Sequence, residues 1–263
     1  MILHYDIPEL VPYINWPYFF FAWQLKQQAE QERMRGEAEA FLDTLAGRYK
    51  VHALFSIVDA HADGDDIIIQ PKAGSSAVRI PFLRQQKGSP CLCLADFVHP
   101  IHDRIGLFAT SADTGLETDF DHDLYEQLMA RLLADRLAEA AAERMHEAVR
   151  KHYWGYAKDE QLSIADLHLE RFRGIRPAVG YPSLPDTGLN FVIDNIINLK
   201  QIGIRLTENG AMRPHASISG LMLAHPESRY FNIGKIGEDQ LRDYAYRRGL
   251  PVTTIRKFLA TNL

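Results

Sequence analysis

Ten consecutive residues restrict the fold of this chain more than any other stretch. Arg173-Gly174-Ile175-Arg176-Pro177-Ala178-Val179-Gly180-Tyr181-Pro182 holds two prolines, two glycines, two arginines and a tyrosine. Each proline fixes its own φ and pushes the residue before it to extended geometry. Each glycine admits backbone shapes, or a close approach, that a Cβ would block. The segment therefore reads as a rigid, irregular ribbon displaying the guanidinium of Arg176 and the phenol of Tyr181. Main-chain groups beside an arginine fork suit a small ligand that carries a carboxylate. An ordinary connection between a helix and a strand has much the same composition, so the residues alone leave both readings open.

The rest of the chain must build something that holds such a ribbon. Its 263 residues, 46% hydrophobic and 24% charged, suffice for a sizeable core. We find no repeat, low-complexity segment or linker, and read residues 1–263 as a single domain. A net charge of −5 excludes a nucleic-acid clamp. The N-terminus lacks a basic leader region and carries Asp6 and Glu9 early, and the apolar run Phe19–Trp23 is too short to span a bilayer. Cys91 and Cys93 lie in an apolar run, where a strand would put both thiols on one face and buried reduced cysteine is expected. A reduced, cytoplasmic protein is expected, with no nucleic-acid or membrane partner.

Periodicity predicts an α+β chain of antiparallel strands and helices. Residues 1–25 begin extended, broken by Pro8, Pro12 and Pro17, with Tyr18–Trp23 as an aromatic plug for the core. A helix is predicted over 26–48, with Gly47 as its stop. A hairpin follows, with a strand at 51–58, a turn at Ala62–Asp66 and a return strand from Ile67. The acids of that turn lack the full calcium-loop pattern. Residues 77–84 read as a short strand or a helix start, and Arg104–Ser111 as a strand. His99 and His102 are read as surface residues rather than metal ligands. The longest helix is predicted over 122–153, with a buried stripe of Leu124, Leu128, Leu132, Met145 and Val149. Within it Arg136 and Glu139 share a face, which on its own suits a surface ion pair. Ser163 with Asp166 resembles a capping box for a short helix. Then come a helix over 189–200, a strand at Ile202–Thr207, a half-buried strand at Ser217–Leu223 with Tyr230–Ile236 as its hairpin partner, a helix at Glu238–Arg248 stopped by Gly249, and a last helix near Thr253–Ala260.

Beyond these patterns, the motif Gly174-Ile175-Arg176-Pro177-Ala178-x-Gly180-Tyr181-Pro182 resembles the S-adenosylmethionine-binding signature of the activation (reactivation) domain of cobalamin-dependent methionine synthase. The resemblance continues through Tyr13-Ile14-Asn15-Trp16, Phe19-Phe20, Leu94-Ala95-Asp96-Phe97-Val98, Asp135-Arg136-Leu137-Ala138-Glu139-Ala140, Val149-Arg150-Lys151 and Trp154-Gly155-Tyr156. It resumes at Pro214-x-Ala216-Ser217-Ile218-Ser219-Gly220, His225-Pro226-x-Ser228-x-Tyr230 and Asp239-Gln240-x-x-Asp243-Tyr244-Ala245. It thus covers essentially the whole chain, in order.

The resemblance implies a single curved, helmet-like or C-shaped domain around a twisted antiparallel sheet. It implies Arg176 for the ligand carboxylate, Glu139 for its positive end, and Arg136 as the residue that orients Glu139. Ala178, Gly180 and Tyr181 would give backbone and ring contacts, with Tyr230 and Phe231 flanking the adenosine. Asn15 stands where the family usually has an aspartate, and an amide there keeps an acceptor but loses the charge. The family's His-Thr-Glu after the ribbon is replaced by Thr187-Gly188-Leu189. The implied chemistry is reductive methylation of cob(II)alamin, using S-adenosylmethionine and an electron, often from a flavodoxin. No homocysteine, folate or cobalamin module is recognisable, so three roles are expected as alternatives. The chain acts in trans on a cobalamin-bearing methionine synthase; it serves another corrinoid protein or senses S-adenosylmethionine; or it is a docking domain without ligand.

Overall fold

The computed structural model describes residues 1–263 apart from 72, 73 and 75. Its frame is one long strand, β2 (Lys50–Asp63). Along one edge β2 pairs with β5 (Asp103–Ala112). Along the other it serves two neighbours, β1 (Ile2–Asp6) at its start and β3 (Asp66–Gln70) at its end. β4 (Val78–Pro81) extends the sheet beyond β3, and β8 (Ser217–Met222) extends it beyond β5. All these pairs are antiparallel. A separate short pair, β6 (Arg205–Leu206) and β7 (Met212–Arg213), flanks the Asn209-Gly210 turn. The sheet curls into an antiparallel half-barrel with flanking helices, in line with the curved α+β domain expected from the sequence.

Alternation along the strands gives the sheet two apolar faces. Val51, Ala53, Phe55 and Phe108 join one core with α1 (Ile7–Leu10), α2 (Trp16–Ala22), α3 (Gln28–Leu45) and α5 (Leu124–Ala148). Leu54, Val58, Leu107 and Ala109 join the other, closed by α7 (Leu189–Ile197) and the 3-10 turn Leu94–Phe97. α8 (Glu238–Arg248) and α9 (Val252–Phe258) form a third cluster with Leu83, Ile233 and Ile236. Short α4 (Gly115–Thr118) leads into α5, and α6 (Ile164–His168) leads to the ribbon. Asp123 caps α5, its carboxylate accepting from Tyr125 N at 2.7 Å and Glu126 N at 3.0 Å. The helix ends in a π-turn, Val149–Tyr153, before Gly155 at φ +74°.

Several expectations fail for identifiable reasons. The chain begins extended, as β1, but residues 7–13 and 16–22 are helical, because each proline sits in a first turn, where its missing N–H costs nothing. Of the aromatic plug only Phe19 is fully buried, while Tyr18 and Phe21 are exposed. In α5, Leu124 and Leu128 are exposed; the buried side is carried by Met129, Leu133, Leu137 and a run of alanines. Small alanines let α5 lie close on the sheet, so they do the burying that the larger leucines were expected to do. Cys91 and Cys93 do not share a strand face: Cys93 alone is buried, its thiol pushed up to about 12 by burial. β8 is buried on both faces from Ser219 onward rather than half-buried. Tyr230–Ile236 forms no strand, because the edge of β8 it was expected to pair with is taken by the ribbon. The predicted strand at Ile202–Thr207 shrinks to β6 after a 3-10 turn at Leu199–Ile202, and α7 stops at Asn198, whose φ is +54°.

The tightest packing constraint lies where β8 meets the ribbon. A Cβ on Gly220 would overlap Pro177 O and lie 2.8 Å from Ala178 Cα. Gly36, by contrast, is helical in α3 with nothing within 4 Å of an added Cβ. Gly220→Ala is expected to destabilise the fold by about 1–3 kcal/mol, and Gly36→Ala to stabilise it by roughly 0.5–1 kcal/mol. Urea denaturation of both variants measures the two shifts.

Candidate functional site

The ribbon lies along the free edge of β8 as an irregular antiparallel strand. Ile175 and Leu223 exchange both main-chain hydrogen bonds, each at 2.9 Å. Leu221 N donates to Pro177 O at 3.0 Å, and Val179 N donates to Ser219 O at 2.9 Å. Proline is tolerated here because this is an edge strand. Gly174 is required at the ribbon's start: its φ is +88°, and a Cβ would meet Leu223 O at 2.5 Å and the Tyr156 hydroxyl at 2.9 Å. Ile175 and Val179 point into the second core, so Arg176 and Ala178 face the other way, towards α5. The outward amides follow the same alternation. Arg176 N donates to the Tyr230 hydroxyl at 2.9 Å, and Gly180 N to Leu184 O at 2.8 Å. Ala178 N has no partner among the described residues.

Opposite the ribbon, one face of α5 turns polar. Leu124, Leu128 and Leu132 occupy it first; from there Arg136, Glu139, Glu143, His146 and Arg150 continue at helical spacing. Arg136 Nη1 donates to Glu139 Oε2 at 2.7 Å. Arg176 Nη2 reaches across from the ribbon to Glu143 Oε2 at 3.1 Å. His146 is completely buried, with Nε2 at 3.3 Å from the Tyr156 hydroxyl and its ring edge-on to Phe172 at 5.0 Å. Arg150, also fully buried, grips Glu160 through Nε at 3.0 Å and Nη2 at 2.8 Å, and its guanidinium lies 4.3 Å from the Phe172 ring. Burial lifts the Glu139 carboxyl above its ordinary range, while Arg136 and Arg176 pull it back. Burial, reinforced by Arg150 and Arg176, holds His146 well below its ordinary value, so its imidazole is neutral.

A family model described as the activation domain of vitamin B12 dependent methionine synthase matches residues 6–249. The chain belongs to that family. It is similar to the crystal structure of a MetH reactivation domain bound to AdoHcy, at 37% identity and a TM-score of 0.93, covering 100% of this chain and 90% of that one.

In this activation domain the expected site residues fall into two groups. Arg136, Glu139, Arg176, Ala178, Tyr181 and Tyr230 converge on the space between ribbon and α5. Tyr181, 51% exposed, feels the charges of Glu139, Arg136 and Arg176. Asn15 caps α2 without a side-chain bond to it. Its neighbours in sequence reach α5: Tyr13 donates to Glu147 at 2.7 Å and the Tyr18 ring lies 6.0 Å from the Arg136 guanidinium. Gly180 is open, an added Cβ meeting only Thr187 Cγ2 at 3.9 Å. Phe231 is set apart, packing on Phe97 with ring centroids 6.4 Å apart. The residues present fit an amino acid carrying an adenosyl group: Arg176 Nη1 is buried and without a hydrogen-bond partner, Ala178 N is free, and a half-buried carboxylate stands opposite.

Three residues escaped the sequence reading. Glu143, not Glu139, holds Arg176; its signal was the spacing Glu139-x-x-x-Glu143-x-x-His146-x-x-x-Arg150, polar residues on one helix face. Glu170, at φ +55°, also feels Arg176 and Glu143. Asp186, just before the altered part of the family motif, is structural: it is buried, accepts from the Tyr244 hydroxyl at 2.7 Å and pairs with Arg248 at 3.1 Å. The neutral His146 carries a pH consequence. The unfolded imidazole takes a proton near its ordinary 6.5 and the folded one does not, so stability is lost as pH falls through that value. Relative to His146→Gln, the wild type should lose up to about 1.4 kcal/mol per pH unit below it. Urea denaturation across this range checks the prediction; parallel curves for the two proteins would contradict a buried neutral imidazole.

Proposed function

We infer that this chain binds S-adenosylmethionine between the ribbon and α5 and presents its methyl group to a corrinoid carried by a partner protein. Residues 1–263 act as one module in this reading. The observation that carries it is the pairing of an uncommitted Arg176 nitrogen with the free Ala178 amide, on a ribbon held by main-chain bonds to β8. The AdoHcy bound to the similar MetH domain is what S-adenosylmethionine becomes on losing its methyl.

The chemistry is reductive methylation. Cob(II)alamin, one electron and S-adenosylmethionine give methylcobalamin and S-adenosylhomocysteine. The corrinoid supplies the acceptor metal; a flavodoxin-like reductant supplies the electron. The residues of this chain bind and aim. Arg176 takes the ligand carboxylate through its uncommitted edge, and the Ala178 amide adds a main-chain donor. Glu139, held by Arg136, faces the ammonium and sulfonium end. Tyr181 and Tyr230 border the site, and Asn15 offers an uncharged acceptor. No proton moves in the transfer, so the contribution is proximity and orientation. The partner is the cobalamin-bearing part of a methionine synthase, met in trans. No helix among the described residues is long and apolar enough to cross a membrane.

Titration calorimetry with S-adenosylmethionine and S-adenosylhomocysteine tests the reading. Both should bind, and Arg176→Ala should weaken binding by about 1.5–3 kcal/mol, the worth of a hydrogen bond to a charged group. Unchanged affinity in that variant would remove the carboxylate assignment. No binding of either ligand would leave a docking role.

A further inference from the structure

Four side-chain atoms in one region are buried without a hydrogen-bond partner among the described residues: Glu143 Oε1, His146 Nδ1, Arg150 Nη1 and Arg176 Nη1. They belong to one face of α5 and to the ribbon residue opposite it. Charged groups are kept buried only where partners compensate them, and the compensation here has a definite order. Arg150 is bidentate on Glu160, which fixes the loop after α5. Phe172 lies against both Arg150 and His146, two residues before Gly174. Arg173 donates to Tyr156 O at 3.3 Å and Ala224 O at 3.2 Å. The start of the ribbon and the carboxylate that meets Arg176 are therefore fixed to the same buried column.

Glu143 is the last member of that column before the ligand space. It takes one nitrogen of Arg176 and leaves Nη1 uncommitted. Glu139 is paired instead with Arg136, at 2.7 Å, and makes no hydrogen bond to Arg176. Glu143 and Arg176 are nearly buried, at 11% and 16% exposure, so without Glu143 the guanidinium would be a largely desolvated charge that has lost its hydrogen-bonded counter-ion and would leave its place. We propose that Glu143 is the positioning residue of the carboxylate subsite: it fixes Arg176 by one nitrogen so that the rest of the fork meets the ligand's α-carboxylate. This rests on the S-adenosylmethionine reading given above.

Decarboxylated S-adenosylmethionine separates the roles, because it keeps the sulfonium, the amine and the adenosine and lacks only the carboxylate. Titrations of the full chain with both ligands should show the wild type preferring S-adenosylmethionine by about 10-fold or more, equivalent to about 1.4 kcal/mol. Arg176→Ala and Glu143→Ala should each bring that preference close to one, with the decarboxylated ligand binding nearly as before. Glu143→Gln keeps the shape and loses the charge, and should lower the preference several-fold; it carries the test if the alanine variant does not fold. Glu139→Gln should weaken both ligands alike and leave the preference intact. An intact preference in Glu143→Gln, or an equal loss for both ligands, overturns the positioning role while leaving the binding reading in place. A wild type that binds neither ligand overturns both.

Discussion

The edge of β8 has to be covered, and the way it is covered decides what this molecule can do. A sheet edge left open presents unpaired amides and carbonyls to any passing strand. Here the ribbon closes it with four main-chain hydrogen bonds, at Ile175, Pro177 and Val179 against Leu223, Leu221 and Ser219. The closure is possible because Gly220 has no side chain to hold the ribbon away. Pairing then imposes alternation. Once Ile175 and Val179 are committed to the core, the Arg176 side chain must face α5 and the Ala178 amide must point away from β8. The groups proposed to meet the ligand are therefore set by backbone register rather than by a loop's own preferences, which gives them the rigidity a binding site needs.

That geometry brings a guanidinium against a helix face where burial is nearly complete. An apolar helix would not tolerate it, so α5 changes character along its length. Its first turns show leucines to the surface, and its later turns carry Glu139, Glu143, His146 and Arg150 on the same face. Each charge finds an opposite: Arg136 with Glu139, Arg176 with Glu143, Arg150 with Glu160. The alanines on the remaining sides keep α5 close to the sheet, so the column reaches the ribbon. Fold stability and site geometry are coupled here, because the same ion pairs serve both.

Much of this was legible in the residues, and what was missed has a pattern. The ribbon, the β2–β3 hairpin, the Ser163 cap and the Gly249 stop are local, encoded by proline, glycine and capping side chains whose effects span a few residues. The failures are tertiary. Nothing within Leu124, Leu128 and Leu132 says that alanines would take the core instead. Nothing within Tyr230–Ile236 says that the strand edge it could pair with is already occupied. Glu143 was hidden for the same reason: an acid in a helix rich in acids and bases looks like surface until a guanidinium arrives from 33 residues away. Its neighbour Glu139 was singled out as a site residue only through the family resemblance, which named no protein partner for Arg176.

The exchange of aspartate for Asn15 can be weighed by charge. S-adenosylmethionine brings a carboxylate, an ammonium and a sulfonium, one net positive charge; its demethylated product brings none. Around the proposed site stand Asp135, Glu139, Glu143 and Glu170 against Arg136 and Arg176, four acids to two bases, with His146 neutral. The excess is already negative without a charge at position 15. Losing one there weakens the pull on the sulfonium without reversing its sign, and it narrows the preference for the methylated ligand over the spent one. In the reading proposed here Asn15 therefore adjusts discrimination between substrate and product, while the affinity held in common stays with Arg176 and the ribbon.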